Sequence, residues 1–365
     1  MKRTSLNGME PQPVLLSVQY LRALAALLVL LAHASLKAKQ YSHDPMRWYH
    51  VGASGVDLFF VISGFIMCHV TAGRQKTVAA FLKDRAFRIL PLYWSLTALM
   101  IPCYLVFPDK INSSGGTTSV LHSFTLLPSD SKYLIQNGWT LSYEFLFYFI
   151  FCASLLTKSR LRLLIPPVLL CLCVLAGRCA RFVHPGWNFV TSTLLLEFAM
   201  GIAAFALLSR VRLGNVFAVL LLACGVMAIT VVNLTPQLIE TGDRTIVFGL
   251  PMVLIFTGIV GLEPHFLAKE HSRFSRLCKL LGDSSYSLYL VHPAVLVLTS
   301  LLLKSLGITR LPVIFVTVLI VVGLISGIAL YRGFEAPVLS WTKTIRRKHS
   351  PPQIRTPAPS PARVS

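Results

Sequence analysis

The sequence predicts an all-α polytopic membrane protein of about ten transmembrane helices with both termini cytoplasmic, and three observations support this. Of its 365 residues 55% are hydrophobic and only 13% charged, about half the charged share of an ordinary soluble domain. Apolar runs long enough to cross a bilayer recur along most of the chain. With the N-terminus inside, about two-thirds of the 34 Lys and Arg fall in cytoplasmic segments, among them "GRQKTVAAFLKDRAFR", "KEHSRFSRLCK" and "WTKTIRRKHS". That asymmetry orients the chain. The net charge of +20 therefore faces anionic lipid headgroups rather than nucleic acid.

The runs lie near 14–36, 52–71, 88–107, 139–157, 163–177, 189–208, 215–234, 244–262, 281–302 and 311–332. The first, preceded by Lys2 and Arg3 and followed by "AHA" at 32–34, imitates a signal peptide. At about 23 residues it is too long for a signal-peptide core and is read as a retained helix. Residues 108–138, with "NSSGGTTS", form the longest outer segment and are expected to cap or line an outer vestibule. The transmembrane domain is assigned to 1–340, and the basic, Pro-rich stretch 341–365 to a disordered cytoplasmic tail. Eight cysteines show no C-x-x-C pair and no Cys/His cluster, so no disulfide framework and no metal site are expected. No P-loop or G-x-G-x-x-G motif marks a nucleotide site.

Ionisable residues inside the runs are costly in lipid and point to an interior or a cavity. Arg22 lies roughly 12 Å from the inner end of the first run and His33 about 5 Å from its outer end. Eleven residues at about 100° each bring both side chains to one helix face, ~16 Å apart. Asp57 in "GVDLFF" and Glu144 in "WTLSYEF" each lie about 8 Å below the outer end of their own run. His33, Asp57 and Glu144 are therefore expected to share a layer, and carboxylates beside an imidazole compose a general-base site. Packing contacts between helices are the alternative for the same three.

On the inner side Arg85 and Arg88, at i and i+3 in "DRAFRILPLYW", share a face where the third run enters the membrane. Two forked guanidiniums suit a polyanionic ligand, phosphates above all, with lipid headgroup contact or an orientation signal as the alternative. Pro91 is placed in the first turn of that helix, where its missing N–H does little harm. Glu197, mid-run, is expected to have a partner, and Glu335 to pair with Arg85 or Arg88. Tyr289 and His292, three residues apart, share a face.

These motifs resemble the membrane-bound acyltransferase family 3, the family of O-antigen, exopolysaccharide and Nod-factor O-acetyltransferases. The matching elements are Arg22 and His33 with ten residues between them, "GVDLFFVISGF", "RAFRILPLYW", "WTLSYEFLFY", "SYSLYLVHP" and "EAP", in family order. The resemblance implies a multi-pass protein of the inner (plasma) membrane that moves an acyl group, usually acetyl, from cytoplasmic acyl-CoA to a hydroxyl of an extracytoplasmic or lipid-linked glycan. It implies His33 as the catalytic residue, assisted by Asp57 or Glu144, with Arg22, Arg85 and Arg88 at the donor, acetyl-CoA. The oligomeric state is open, and a transporter or flippase for a glycolipid or organic anion is the rival reading.

Overall fold

The computed structural model describes residues 15–43, 45–73, 76–108, 117–157, 160–180 and 184–349. Among them nine helices are long and apolar enough to cross a membrane. In chain order the helices used below are α1 Leu16–Tyr41, α2 Ser54–Thr71, α3 Val78–Val106, α4 Gly138–Leu155, α5 Ile165–Ala180, α6 Leu195–Leu208 and α7 Asn215–Leu234. The expected span 244–262 is a shorter apolar helix, α8 Thr245–Gly261, which opens with a π turn over Thr245–Gly249. There follow α9 Arg273–Asp283, α10 Ser285–Ser305, α11 Pro312–Leu330, a π turn Tyr331–Glu335, and α12 Ala336–His349. The first part of the expected tail, 341–349, thus continues a helix, and 350–365 lie outside the described residues.

Two boundaries correct the sequence reading. The third helix begins at Val78 rather than 88, capped by the Thr77 hydroxyl, which accepts the Ala80 N–H at 3.2 Å. The added turns carry polar residues and escaped a hydropathy count, yet Phe81 is fully buried there, stacked on Phe151 at 5.5 Å. Arg85 and Arg88 therefore sit about two to three turns into α3, and Pro91 lies in its interior instead of its first turn. The other correction is at 281–284, which belong to the separate amphipathic helix α9 and its end rather than to the span.

Helix α2 is the most buried of the spans and crosses α6 at backbone contact. A Cβ on Gly64 would fall 2.1 Å from the Phe198 carbonyl oxygen, and one on Gly201 would fall 2.1 Å from that of Val61. Small residues here let two helices meet without side chains between them. Aromatic rings fill the flanks, with Phe60 and Phe147 stacked on either side of Phe198 at 4.6 and 4.5 Å. The start of α1 is held from far along the chain. Glu263 accepts the Leu16 and Ser17 N–H groups on its two oxygens at 2.7 and 2.8 Å, satisfying two of the four orphan donors of the helix. The described part of the outer segment, 117–137, packs across α3: Tyr93 donates to the Ser123 carbonyl at 2.7 Å and Trp94 to that of Phe124 at 2.9 Å.

Candidate active site

A cavity of about 590 Å³ opens between α1, α2, α3, α4 and α10, within the size range of cofactor sites. It follows α2 from Val70 to Val56, fourteen residues or about 21 Å of helix. Arg22 and Gln19 enter from α1, Arg85 and Arg88 from α3, Glu144 and Tyr148 from α4, and Tyr286 and Tyr289 from α10. The three arginines that the resemblance grouped line this one cavity, because α1 and α3 both present their basic faces inward. Arg22 bonds only loosely to Gln19, at 3.5 Å. The Arg85 guanidinium lies 6.0 Å over the Phe81 ring, and its buried Nε has no hydrogen-bond partner among the described residues. Three guanidiniums face one carboxylate along the cavity wall, so the cavity is electropositive and its donors are available to an anion.

That carboxylate is Glu144, and its position departs from expectation. It accepts hydrogen bonds from the Tyr148 hydroxyl and from Ser63 at 3.2 Å. Ser63 lies six residues deeper along α2 than Asp57, about 9 Å, so Glu144 is level with the middle of α2 and beside the arginines. Counting depth from each helix end assumed that the ends were aligned, and they are not. Asp57 also has a different partner. Fully buried, it is held bidentately by Arg244, Nε to Oδ1 at 3.0 Å and Nη2 to Oδ2 at 2.8 Å. The shared layer of His33, Asp57 and Glu144 is thus replaced by three separate settings. Arg244 was missed because it opens an apolar run and resembled an interfacial charge. Glu197 lies buried near Asp57 and Arg244, with which it interacts electrostatically, and both its carboxyl oxygens lack a well-formed hydrogen bond. Glu335, expected beside Arg85 or Arg88, accepts from Ser287 at 2.5 Å and acts on Arg22 and Arg88 only through space.

His33 is half-buried, and its neighbour is a second imidazole. The rings of His33 and His292 are 4.8 Å apart and edge-on, with His292 Nε2 3.3 Å from His33 Nδ1. Two backbone carbonyls determine the tautomers. A carbonyl can only accept, so His292 Nδ1, 2.9 Å from the Leu288 oxygen, carries a proton and leaves Nε2 with a lone pair. By the same reasoning His33 Nδ1, 3.0 Å from the Val29 oxygen, carries its proton and shares it with His292 Nε2. His33 Nε2 is left as the basic nitrogen. The sequence put His292 on one face with Tyr289 but gave it no chemistry; its i, i+4 carbonyl bond is the local signal that fixes it.

A multi-pass helical protein with an electropositive cavity and an imidazole pair beyond it is the class that fold and site define. Residues 15–332 match the family model described as an acyltransferase domain, and the chain belongs to that family. It is 34% identical over 304 residues to the exopolysaccharide production protein ExoZ of Rhizobium meliloti (strain 1021), covering 80% of this chain and 90% of that protein. Protein 2 in the picA locus of Rhizobium radiobacter is 27% identical over 147 residues, 34% of this chain and 73% of that protein. No solved structure matches.

Proposed function

We propose that this membrane acyltransferase moves an acyl group, acetyl in the first instance, from cytoplasmic acyl-CoA to a hydroxyl of an extracytoplasmic or lipid-linked glycan. The observation that carries this reading is the convergence of Arg22, Arg85 and Arg88 on one cavity that continues along α2 toward its opposite end. Acyl-CoA has phosphates at one end and a thioester at the end of a long flexible arm, and such a cavity suits both. Guanidiniums hold the phosphates through charge-assisted hydrogen bonds, and the arm runs along α2. The relative named for exopolysaccharide production supports a glycan as acceptor.

In the reaction His33 Nε2 takes the proton of the acceptor hydroxyl as its oxygen attacks the thioester carbonyl. The carbon–sulfur bond breaks, the ester forms, and the coenzyme A thiolate leaves and receives the proton. His292 holds the His33 ring in the productive tautomer, the orienting role of the acid in a hydrolase triad, and stays neutral while it accepts from His33 Nδ1. Asp57 acts at a distance, by fixing α2 to α8, and Glu144 by balancing charge in the donor cavity. Mass spectrometry of surface polysaccharide from cells carrying the wild-type protein, no protein, or His33→Ala tests the reading. One acyl mass is expected to vanish in both altered strains. Identical polysaccharide with and without the protein would refute the function, and normal acylation by His33→Ala would refute the base. A single-turnover trap of protein-bound acetyl distinguishes direct transfer from an acyl-histidine intermediate.

A further inference from the structure

At the Val56 end of α2 the cavity is lined by Val56, Phe59, Thr140 and Tyr289. Tyr289 is pinned there. Its hydroxyl shares a hydrogen bond with Thr140 at 2.8 Å, and its carbonyl accepts from Asn137 at 2.6 Å. Phe59 meets it edge-on, with ring centroids 5.6 Å apart, and is held by packing alone. Phe59 is half-buried and touches two hydrophobic clusters: the main core around the cavity, and a second one from α1, α10 and α11 whose members flank His33 and His292. The Tyr289 ring also lies 6.1 Å from that of His292, which is paired with His33. The two rings therefore line the guanidinium-bearing cavity at its end nearest the imidazole pair.

We propose that Phe59 is the acyl-length stop of the donor site. A thioester anchored by its phosphates at Arg22, Arg85 and Arg88 brings its acyl group up to the Phe59 ring. A short chain fits against the Phe59 ring, and each further methylene has to displace an aromatic side chain packed on a fixed tyrosine. One methylene in a confined apolar pocket changes discrimination by about 10- to 200-fold. This inference rests on the reading of the cavity as the acyl-CoA site, and it assigns a short acyl group to that site.

The test is binding of acetyl-, butyryl- and hexanoyl-coenzyme A to the purified full-length protein by calorimetry, in wild type, Phe59→Ala and Phe59→Leu. Wild type is expected to prefer acetyl over butyryl by about ten-fold or more. Phe59→Ala is expected to bring the three donors within a few-fold of one another, and Phe59→Leu to fall between. A wild type indifferent to chain length overturns the proposal, as does a preserved acetyl preference in whichever variant is well folded. If none of the three donors binds wild type, the donor site itself is wrong and the stop falls with it; selective failure of the length series removes the stop alone.

Discussion

Replacing Arg244 with alanine takes both guanidinium donors away from a carboxylate that has no water contact. Asp57 is 0% exposed, while the Arg244 side chain is 34% exposed. Removing one member of a buried pair costs about 3–5 kcal/mol, because the other charge is left uncompensated. Water reaching Arg244 weakens the pair, so the lower end, about 3 kcal/mol, is the expected loss. Glu197, buried close by, adds a second acid that would then have no cation. Asp57→Ala alone is expected to cost about as much, and the double variant less than the two singles together, with a coupling of about 2 kcal/mol. The assay is thermal unfolding of the four proteins in one detergent, with acyl transfer measured at a temperature where all four are folded. On this reasoning transfer falls with stability in both single variants and recovers in part in the double variant. An Asp57→Ala protein that unfolds like wild type but transfers no acyl group would refute the structural role and return Asp57 to the catalytic group.

Three further predictions follow from the geometry. His292→Ala frees His33 Nδ1 from its partner and is expected to lower kcat by about 10²-fold, within the range for a general-base system, with donor KM unchanged; steady-state kinetics at fixed acceptor separates the two constants. Arg88→Ala removes a charge-assisted contact, expected at about 1.5–3 kcal/mol, and so raises donor KM by about 10- to 150-fold with a smaller effect on kcat; Arg88→Lys is expected to recover only part of that because the fork is lost. Glu263→Ala leaves the start of α1 uncapped at two N–H groups and should cost about 1–2 kcal/mol in thermal unfolding, whereas a surface acid such as Glu240, in the short helix Gln237–Thr241, should be silent.

What could be read in advance was set by local periodicity. The apolar runs gave the helices because a bilayer demands about twenty apolar residues in each, and the i, i+3 spacing of Arg85 and Arg88 placed both on one face of α3. The meeting of these two with Arg22 came only from the family resemblance, and an inward face is the cheap solution for all three because each is costly in lipid. Depth was less legible. Glu144 and Asp57 sit equally far below the starts of their apolar runs, yet Asp57 is three residues from the start of α2 and Glu144 six from that of α4. Packing sets the rest of the offset that brings Glu144 level with Ser63. Partner choice was least legible of all. Asp57 takes Arg244 from 187 positions away, and His33 takes His292 from 259 positions away. Nothing near Asp57 or His33 in the chain announces either pairing. The longer start of α3 was hidden because its first turns are polar on one side and buried on the other.

The carboxylate clasp on the first helix has a bearing on how the protein is made. Glu263 follows α8, so while the ribosome is still producing the earlier spans the leading end of α1 has two backbone donors unanswered. Arg22 lies less than two turns further along the same helix. The cavity lined by the three arginines also takes Tyr286 and Tyr289 from α10, so it is among the last parts of the molecule to be completed. A chain truncated before Glu263 would insert most of its spans and still lack both the clasp and that wall.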